Sequence, residues 1–175
     1  MSEWQIGPLT KDHARSGFDC GVPALNSFII DLAGQHQKKR ACQVYVATSK
    51  SDSTVIGYHT LSAASVPFDL LSQEQQRRLA PYASAPAALL GRLAVRLDKR
   101  GKGLGDYLMA HALATITELS TRVGVSMAVV DAKNDRVKQL YQERFGFIPL
   151  RGARPLTLVL LVETITKSLK PNTTV

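Results

Sequence analysis

The sequence has few of the features that define several large protein classes. Its only cysteines, Cys20 and Cys42, have no cysteine or histidine partners at metal-site spacing. Neither a disulfide framework nor a metal site is therefore predicted, and both cysteines are expected to be reduced, packed thiols. No apolar run approaches the roughly 18 residues that cross a bilayer, and the first residues, with Glu3 and Gly7, lack a signal-peptide pattern. A cytoplasmic protein is expected.

Acidic residues are outnumbered by basic ones. Fourteen Asp and Glu against 22 Lys and Arg give a net charge of +8 and a pI near 9.7, which is typical of nucleic-acid-binding domains. A basic surface equally suits an acidic protein partner. No repeat, linker or low-complexity tract interrupts the 175 residues. A single domain over residues 1–175 is predicted, with a polar tail from about 167 to 175.

The stretch from Leu89 to Leu108 predicts a strand, a glycine turn and a helix in succession. Leu93 and Val95 alternate with residues of the other face, which is the period of a strand buried on one side. Glycines at positions 101, 103 and 105 permit positive φ and the close approach of a ligand. From Leu104 the apolar spacing is helical. Because a helix N-terminus presents unpaired N–H groups and a positive dipole end, this arrangement suits a phosphate or pyrophosphate.

Single positions exclude two common phosphate-binding loops. A nucleoside-triphosphate loop requires Ser or Thr after its lysine, but Gly103 follows Lys102. The dinucleotide fingerprint requires a third glycine where Asp106 stands. The remaining pattern, Arg100-x-x-Gly103-x-Gly105, resembles the coenzyme A pyrophosphate loop of the GCN5-related N-acetyltransferases, the GNAT family. The alternative is a glycine-rich connection that binds no ligand.

A second resemblance to this family follows about thirty residues later, in the patterns Asp131-Ala132-x-Asn134 and Tyr141-x-x-x-Phe145-Gly146-Phe147. It implies an α/β fold with a mixed, mostly antiparallel sheet, flanked by helices, whose central strands splay apart to admit acetyl-CoA. The splayed strand would pair with the pantetheine amides like an added strand, and the glycine turn would take the pyrophosphate. The implied cofactor contacts are Leu93, Ala94, Val95, Arg100, Gly101, Lys102, Gly103, Leu104, Gly105, Asp106 and Asn134.

Tyr141 resembles the general acid of the family. Attack of an amine on a thioester expels a thiolate, and a thiol with a pKa of about 8.5 gains from a proton donor at that moment. A tyrosine, with a pKa near 10, is neutral at pH 7 and can supply the proton. The alternative is an aromatic side chain packed between helix and sheet. No carboxylate is identified as a base, and an α-amino acceptor with a pKa of about 7.7–8.0 is partly neutral without one.

Four further segments carry a narrower resemblance. They are Phe18-Asp19-Cys20-Gly21, Leu25-Asn26-x-Phe28, Gly57-Tyr58-His59-Thr60-Leu61 and Gly91-Arg92-Leu93-Ala94-Val95. Together with the two motifs above they cover nearly the whole chain, and they look like the acetyltransferase toxins of bacterial toxin–antitoxin modules. The resemblance implies acetylation of the α-amino group of aminoacyl-tRNA, which stops translation. It also implies a homodimer that is neutralised by a small DNA-binding antitoxin, expected to be of the ribbon–helix–helix type.

The positive net charge agrees with a tRNA acceptor. Arg92, beside the splayed strand, is the best candidate for holding the acceptor's phosphate or terminal nucleotide. Further candidates for contact with tRNA are Lys38, Lys39, Arg40, Arg77 and Arg78. Two alternatives stay open: an acetyltransferase for a protein N-terminus or a small amine, and a nucleic-acid-binding module without catalysis.

Some local features are also predicted. Asn134 is expected to cap a helix that Gly146 ends, and alternation over Pro155 to Ile165 predicts a last long strand. His59 is interpreted as a satisfied core histidine rather than a general base. It stands where an aromatic residue is expected from the resemblance, and the segment from Pro67 to Ala88 carries no recognisable motif. His59 and the segment without a motif leave the choice of aminoacyl group undecided.

Overall fold

The computed structural model describes residues 3–152 and 154–169. Its strands are β1 (Trp4–Pro8), β2 (Gln43–Ser49), β3 (Asp52–Pro67), β4 (Ser84–Val95), β5 (Met127–Asp131), β6 (Ile148–Pro149) and β7 (Thr157–Leu161). Its α-helices are α1 (Pro23–Ser27), α2 (Ala33–Lys38), α3 (Gln73–Arg77), α4 (Leu104–Ser120), α5 (Asp135–Phe145) and α6 (Val162–Leu169). Within the described residues, no helix has the length and apolarity to span a membrane.

The strands form one sheet in the order β1-β2-β3-β4-β5-β7-β6. β4 and β5 run parallel. The pairs β1–β2, β2–β3, β5–β7 and β6–β7 are antiparallel. This mixed, mostly antiparallel sheet with helices between its strands confirms the fold class predicted from the sequence.

By its internal contacts the chain divides into two compact units. One contains the residues up to Ser62 together with Gly91–Ala112, and the other contains Ala63–Leu90 and the residues from Leu113 onward. The elements β3, β4 and α4 each contribute residues to both units. The glycine turn belongs to the first unit and Tyr141 to the second.

Three aromatic rings organise the core of the first unit. Phe28 stacks on Tyr58 with ring centroids 6.0 Å apart, and Phe18 meets the same tyrosine edge-on at 5.6 Å. The Tyr58 hydroxyl donates to the carbonyl oxygen of Leu25 at 2.8 Å, so this buried polar group is satisfied. Aliphatic residues of β2 and β3 complete the cluster.

The second unit is built on the parallel ladder between β4 and β5. The ladder runs from the pair Ala87–Met127 to the pair Leu90–Val130. Four of the five β5 residues are buried, which confirms the prediction of a central strand covered on both faces. β7 pairs with β5 on its other side.

The last segment of the chain differs from the sequence prediction. The strand predicted over Pro155 to Ile165 is confirmed from Thr157 to Leu161 as β7, but its last part is wrong, because helix α6 begins at Val162. Ile165 and Leu169 follow Val162 at helical spacing, and a short apolar run fits both periods. Part of the predicted tail, residues 167–169, belongs to α6, while residues 170–175 lie outside the described part of the chain.

Candidate functional site

The glycine turn leads directly into the first turn of α4. Gly101 and Gly103 have φ angles of 73° and 84°, as predicted, and residues with a Cβ rarely adopt such angles. Gly105 is the second residue of α4 and does not adopt the positive φ that glycine permits. The Gly103 carbonyl accepts the N–H of Tyr107 at 3.0 Å. The helix therefore starts from Gly103, and its first N–H groups have no partner within the helix.

The surroundings of this turn favour an anion. Lys102 is exposed between the two positive-φ glycines. Apart from chain neighbours, no heavy atom lies within 4 Å of the point where a Cβ would stand on Gly101 or Gly103. Leu104 is buried and anchors the start of α4, and Asp106 is partly buried in its first turn. The lysine and the positive helix end thus face an open stretch of backbone that a phosphate can approach.

Arg100 is held by a turn formed by Asp19, Cys20 and Gly21, here called the Asp19 turn. The Arg100 Nη2 donates to the carbonyl oxygen of Cys20. Asp19 Oδ1 accepts the N–H of Gly21 and the Nδ2 of Asn26, each at 2.8 Å. The backbone hydrogen bond from Gly21, followed by that from Asn26, lowers the pKa of the Asp19 carboxyl. The Asp19 turn therefore orients the guanidinium for which the family resemblance implies a contact with the pyrophosphate.

The end of β4 has a backbone edge without a strand partner toward β5. The ladder with β5 stops at Leu90, whereas β4 continues to Val95. Among the described residues no ladder pair joins Leu93, Ala94 or Val95 to β5. Ala94 is buried and its two neighbours are partly buried. An unpaired edge of this kind can accept an extended, amide-containing chain as an added strand.

Helix α5 begins and ends as the sequence predicts. The Asn134 side-chain oxygen accepts the N–H of Val137 at 3.0 Å, which confirms its capping role. Gly146 has a φ of 76° and closes the helix in the left-handed conformation. The contact of Asn134 with a cofactor stays a prediction.

Tyr141 lies in the middle of α5 and is partly buried. Its ring centroid is 5.9 Å from that of Phe147. Burial raises the pKa of the Tyr141 phenol, so the hydroxyl is protonated throughout the physiological range. The ring packs as a core aromatic does, and its hydroxyl has the protonation state of an acid catalyst. The packing and catalytic interpretations are therefore compatible.

Arg92 has a defined position on the aromatic core of the first unit. Its guanidinium carbon lies 3.9 Å from the centroid of the Phe28 ring. Phe28 is 1% exposed, so the ring is a fixed surface under the cation. Arg92 is therefore more than an unconstrained surface arginine. The sequence did not indicate this partner, because 64 positions separate the two residues.

The other predicted tRNA contacts differ in how they are held. Lys38, Lys39 and Arg40 are exposed at the end of α2, and Arg40 has a φ of 59°. Arg77 is exposed in the last turn of α3. Arg78 forms an ion pair with Glu163, with Nη2 and Oε2 2.9 Å apart. Contact with tRNA stays a prediction for all five.

His59 is a core residue, as predicted, but it is only half satisfied, because its Nδ1 has no hydrogen-bond partner among the described residues. Its other ring nitrogen has a partner that the sequence did not reveal. The side chain is 0% exposed, and its Nε2 lies 2.9 Å from the Nδ1 of His111. Tyr45 stacks on the His59 ring with centroids 5.0 Å apart. Desolvation, with a smaller contribution from His111, lowers the pKa of His59 to about 3. A histidine with this pKa is neutral at physiological pH, which agrees with a structural role.

The cysteines and other potential metal ligands form no site among the described residues. Both cysteines are free; Cys20 is buried and Cys42 is partly buried. Desolvation raises the pKa of the Cys42 thiol, which disfavours the reactive thiolate. Within the same residues no group of three or more His, Cys, Asp and Glu side chains could hold a metal ion.

Comparison with known proteins gives one family and several similar toxins. Residues 10–147 match the Acetyltransferase (GNAT) family. The chain is 29% identical over 168 residues to the probable toxin TacT of Sinorhizobium fredii (strain NBRC 101917 / NGR234), which covers 91% of this chain and 92% of that protein.

Two solved structures of the toxin AtaT are also similar. AtaT complexed with acetyl-methionyl-tRNAfMet has a TM-score of 0.86 and 31% identity, covering 95% of this chain and 99% of that one. A tyrosine-to-phenylalanine mutant of AtaT, bound to the C-terminus of the antitoxin AtaR and to acetyl-CoA, has a TM-score of 0.79 and 26% identity, covering 96% and 99%. The family match spans well over half of the chain, so the protein belongs to the GNAT acetyltransferase family.

Proposed function

We propose that this protein is a toxin that transfers the acetyl group of acetyl-CoA to the α-amino group of aminoacyl-tRNA and so blocks translation. The proposal depends on one observation above all: 31% identity over 95% of the chain with AtaT in its complex with acetyl-methionyl-tRNAfMet. The net charge of +8 supports a nucleic-acid acceptor, because neutralised phosphates release counterions and dominate affinity.

The residues of the first unit fit acetyl-CoA. The edge of Leu93, Ala94 and Val95 that no ladder pair of the described residues joins to β5 suits the pantetheine amides. The open, positive-φ turn at the start of α4 suits the pyrophosphate. The residues that would hold the pyrophosphate are Arg100, Gly101, Lys102, Gly103, Leu104, Gly105 and Asp106. When bound, acetyl-CoA supplies an acetyl group activated as a thioester. Asn134 is proposed as a further contact from the second unit.

Tyr141 is proposed as the general acid. Its hydroxyl would donate a proton to the sulfur as the carbon–sulfur bond breaks. The raised pKa of Tyr141 keeps the phenol protonated in the resting enzyme. A phenol is also too weak an acid to protonate a thioester, so the transfer takes place only as the sulfur becomes a thiolate.

Arg92 is proposed to hold a phosphate or the terminal nucleotide of the acceptor. Arg guanidinium groups bind phosphate in a bidentate manner, and the contact with the buried Phe28 ring gives this one a defined position. Lys38, Lys39 and Arg40 are proposed as additional phosphate contacts, since all three are exposed. Arg77 and Arg78 are proposed in the same role, and Arg78 would exchange its ion pair with Glu163 for the nucleic acid.

The proposal extends to the assembly of the protein. Similarity to AtaT bound to the C-terminus of the antitoxin AtaR supports neutralisation by an antitoxin. We propose that this antitoxin is a small DNA-binding protein of the ribbon–helix–helix type and that the toxin is a homodimer. Its place of action is the cytoplasm, where charged tRNA is found.

The decisive experiment is incubation of the purified protein with isotopically labelled acetyl-CoA and total charged tRNA. Labelled N-acetyl-aminoacyl-tRNA is expected, and sequencing of the labelled pool would identify the acylated species. Deacylated tRNA is the control, since it lacks the α-amino group. If label appears only on protein N-termini or on small amines, the proposed acceptor is wrong. If no acetyl group is transferred to any amine, the protein is a binding module instead.

A salt titration separates the acceptors further. The affinity for aminoacyl-tRNA should fall steeply with salt. Between 50 and 200 mM salt it should decrease by a factor of about 10³–10⁵ if 6–10 phosphates are contacted. Binding of a peptide or a small amine would change far less over the same range. A shallow slope would contradict the tRNA proposal.

A further inference from the structure

A small cavity lies in the second unit beside the end of β5. Its volume is about 110 Å³. The apolar part of its lining includes Val66, Leu89 and Val129, and its polar part includes Asp131, Arg154 and Thr157. Leu89 and Val129 are paired in the β4–β5 ladder, which ends one residue later. The cavity therefore opens where the two central strands stop pairing.

Two opposite charges stand on the lining of this cavity. Asp131 is exposed at the end of β5, and its Oδ1 accepts the Thr157 hydroxyl at 2.6 Å. An ionised carboxylate has about four acceptor positions, so Asp131 can accept further donors. Arg154, also exposed, lies on the loop that precedes β7. An apolar floor between a carboxylate and a guanidinium matches a ligand that carries a cation, an apolar group and an anion.

We propose that this cavity receives the aminoacyl end of the acceptor, with Asp131 as the residue that binds its α-ammonium group. The side chain of the amino acid would lie on Leu89 and Val129, and Arg154 would meet the nearest phosphate of the tRNA. This inference rests on aminoacyl-tRNA being the acceptor. A wholly apolar ligand would leave both charges unpaired, and a simple anion would face the Asp131 carboxylate.

The size of the cavity limits the amino acid. A cavity of about 150 Å³ in a protein core binds benzene, and this one is smaller. Small aliphatic side chains are therefore expected as preferred acceptors over aromatic ones. Before the reaction the ammonium group loses a proton to solvent, and the neutral amine then forms the C–N bond as the C–S bond breaks, losing its second proton to solvent. The amide product is uncharged, so it loses its ionic contact with Asp131 and is released.

Replacement of the carboxylate tests the first part of the inference. Asp131→Asn is expected to raise KM for aminoacyl-tRNA by about 10–100-fold, the usual effect of losing a charge-assisted hydrogen bond. Its kcat should stay within about threefold, and its dissociation constant for acetyl-CoA should not change. Asp135→Asn is the control: Asp135 is exposed at the start of α5, four residues later, and its replacement makes the same change in net charge. Its KM for aminoacyl-tRNA should equal that of the wild type. If the two variants have equal KM values, or if Asp131→Asn loses acetyl-CoA binding, the inference is overturned.

A change in cavity size tests the second part. Ala64 lines the cavity, whereas its neighbour Ala63 is exposed and does not. Ala64→Leu should shift the acetylated pool toward glycyl- and alanyl-tRNA, and Ala63→Leu should leave the pool unchanged. Identical pools for wild type and Ala64→Leu would overturn the inference while the proposed function stands. Failure of the wild type to acetylate any charged tRNA would overturn both.

Discussion

The guanidinium carbon of Arg92 lies over the ring of Phe28, 3.9 Å from its centroid, and the same ring stacks on Tyr58 with centroids 6.0 Å apart. A cation on a ring is stabilised by about 0.5–2 kcal/mol, more as it becomes less hydrated. The contact also fixes the plane of a side chain that would otherwise sample many rotamers. Arg92 is therefore preorganised for an anion, which lowers the entropic cost of binding one.

Phe28→Leu should weaken the binding of aminoacyl-tRNA without changing the affinity for acetyl-CoA. The loss of the ring removes the surface under Arg92, so KM for aminoacyl-tRNA is expected to rise about 3–30-fold, which corresponds to the cation–π energy. Steady-state kinetics and calorimetry with acetyl-CoA measure the two effects. Phe18→Leu is the matched control, because Phe18 is equally buried and also contacts Tyr58. Equal KM values for both variants would show that packing alone is responsible.

Tyr141→Phe should lower kcat by about 10²–10⁴, the usual contribution of acid–base catalysis. The phenyl ring keeps the contact with Phe147, so stability and the dissociation constant for acetyl-CoA should change little. Because burial raises the pKa of Tyr141, no loss of rate through deprotonation of this group is expected below about pH 10. Tyr82→Phe, at a residue that is 71% exposed, is the control. Normal turnover in Tyr141→Phe would remove the tyrosine from the mechanism.

The predictions that the structure confirmed concern mostly local features. The positive φ angles at Gly101 and Gly103 follow from glycine spacing, and the Asn134 cap follows from residue type at a helix start. Gly105 shows the limit of the same argument. A glycine permits a positive φ but does not require one, and the start of α4 determines its conformation.

The features that the sequence did not indicate depend on contacts between distant residues. His59 and His111 are 52 positions apart, and nothing in either neighbourhood predicts their hydrogen bond. The contact between the Arg92 guanidinium and the Phe28 ring could not be predicted for the same reason. The sequence predicts strand for the first residues of α6, because their short apolar run fits the strand period as well as the helix period.

The Asp19 turn predicts a long-range effect on acetyl-CoA binding. It accepts the N–H of Leu97 through the Asp19 carbonyl at 2.9 Å, in addition to holding Arg100. Asp19→Ala removes the hydrogen bonds to Gly21 and Asn26, so Arg100 should lose its orientation. The dissociation constant for acetyl-CoA is expected to rise by about 3–10-fold, the effect of one hydrogen bond.

Asp52→Ala is the matched control for this variant. Asp52 also fixes a turn through its Oδ1, which accepts the N–H and hydroxyl of Thr54, each at 2.9 Å. Calorimetry with acetyl-CoA should therefore distinguish the two variants. Equal affinities for acetyl-CoA would exclude a positioning role for the Asp19 turn.

Gly103→Ala should distort the turn through the backbone alone. No neighbouring heavy atom would clash with the new Cβ, but a φ of 84° is unfavourable for alanine by about 1–2 kcal/mol. Acetyl-CoA affinity is expected to fall by about tenfold or more, because the turn relaxes to another conformation. Gly17→Ala imposes the same strain at a φ of 76°, also in open space, and should reduce stability without affecting the ligand. Calorimetry and thermal unfolding of both variants separate strain from binding.

The histidine pair predicts how stability depends on pH. His59 titrates near 3 in the folded protein and near 6.5 when unfolded, so the unfolded chain binds the extra proton between these values. Its contribution to stability is complete above about pH 6.5 and is lost as the pH falls toward 3, by at most about 1.4 kcal/mol per pH unit. Burial lowers the pKa of His111 as well, so this histidine adds to the loss of stability as the pH falls.

Replacement of His59 by phenylalanine isolates this effect. His59 Nδ1 has no hydrogen-bond partner among the described residues, so the aromatic replacement removes a buried unsatisfied atom and keeps a ring next to Tyr45. The free energy of unfolding in urea, measured from pH 7.5 to 5.5, should fall less steeply in His59→Phe than in the wild type. Carboxylates titrate mostly below this window, so an unchanged slope in His59→Phe would mean that His59 is protonated in the folded protein, contrary to its burial.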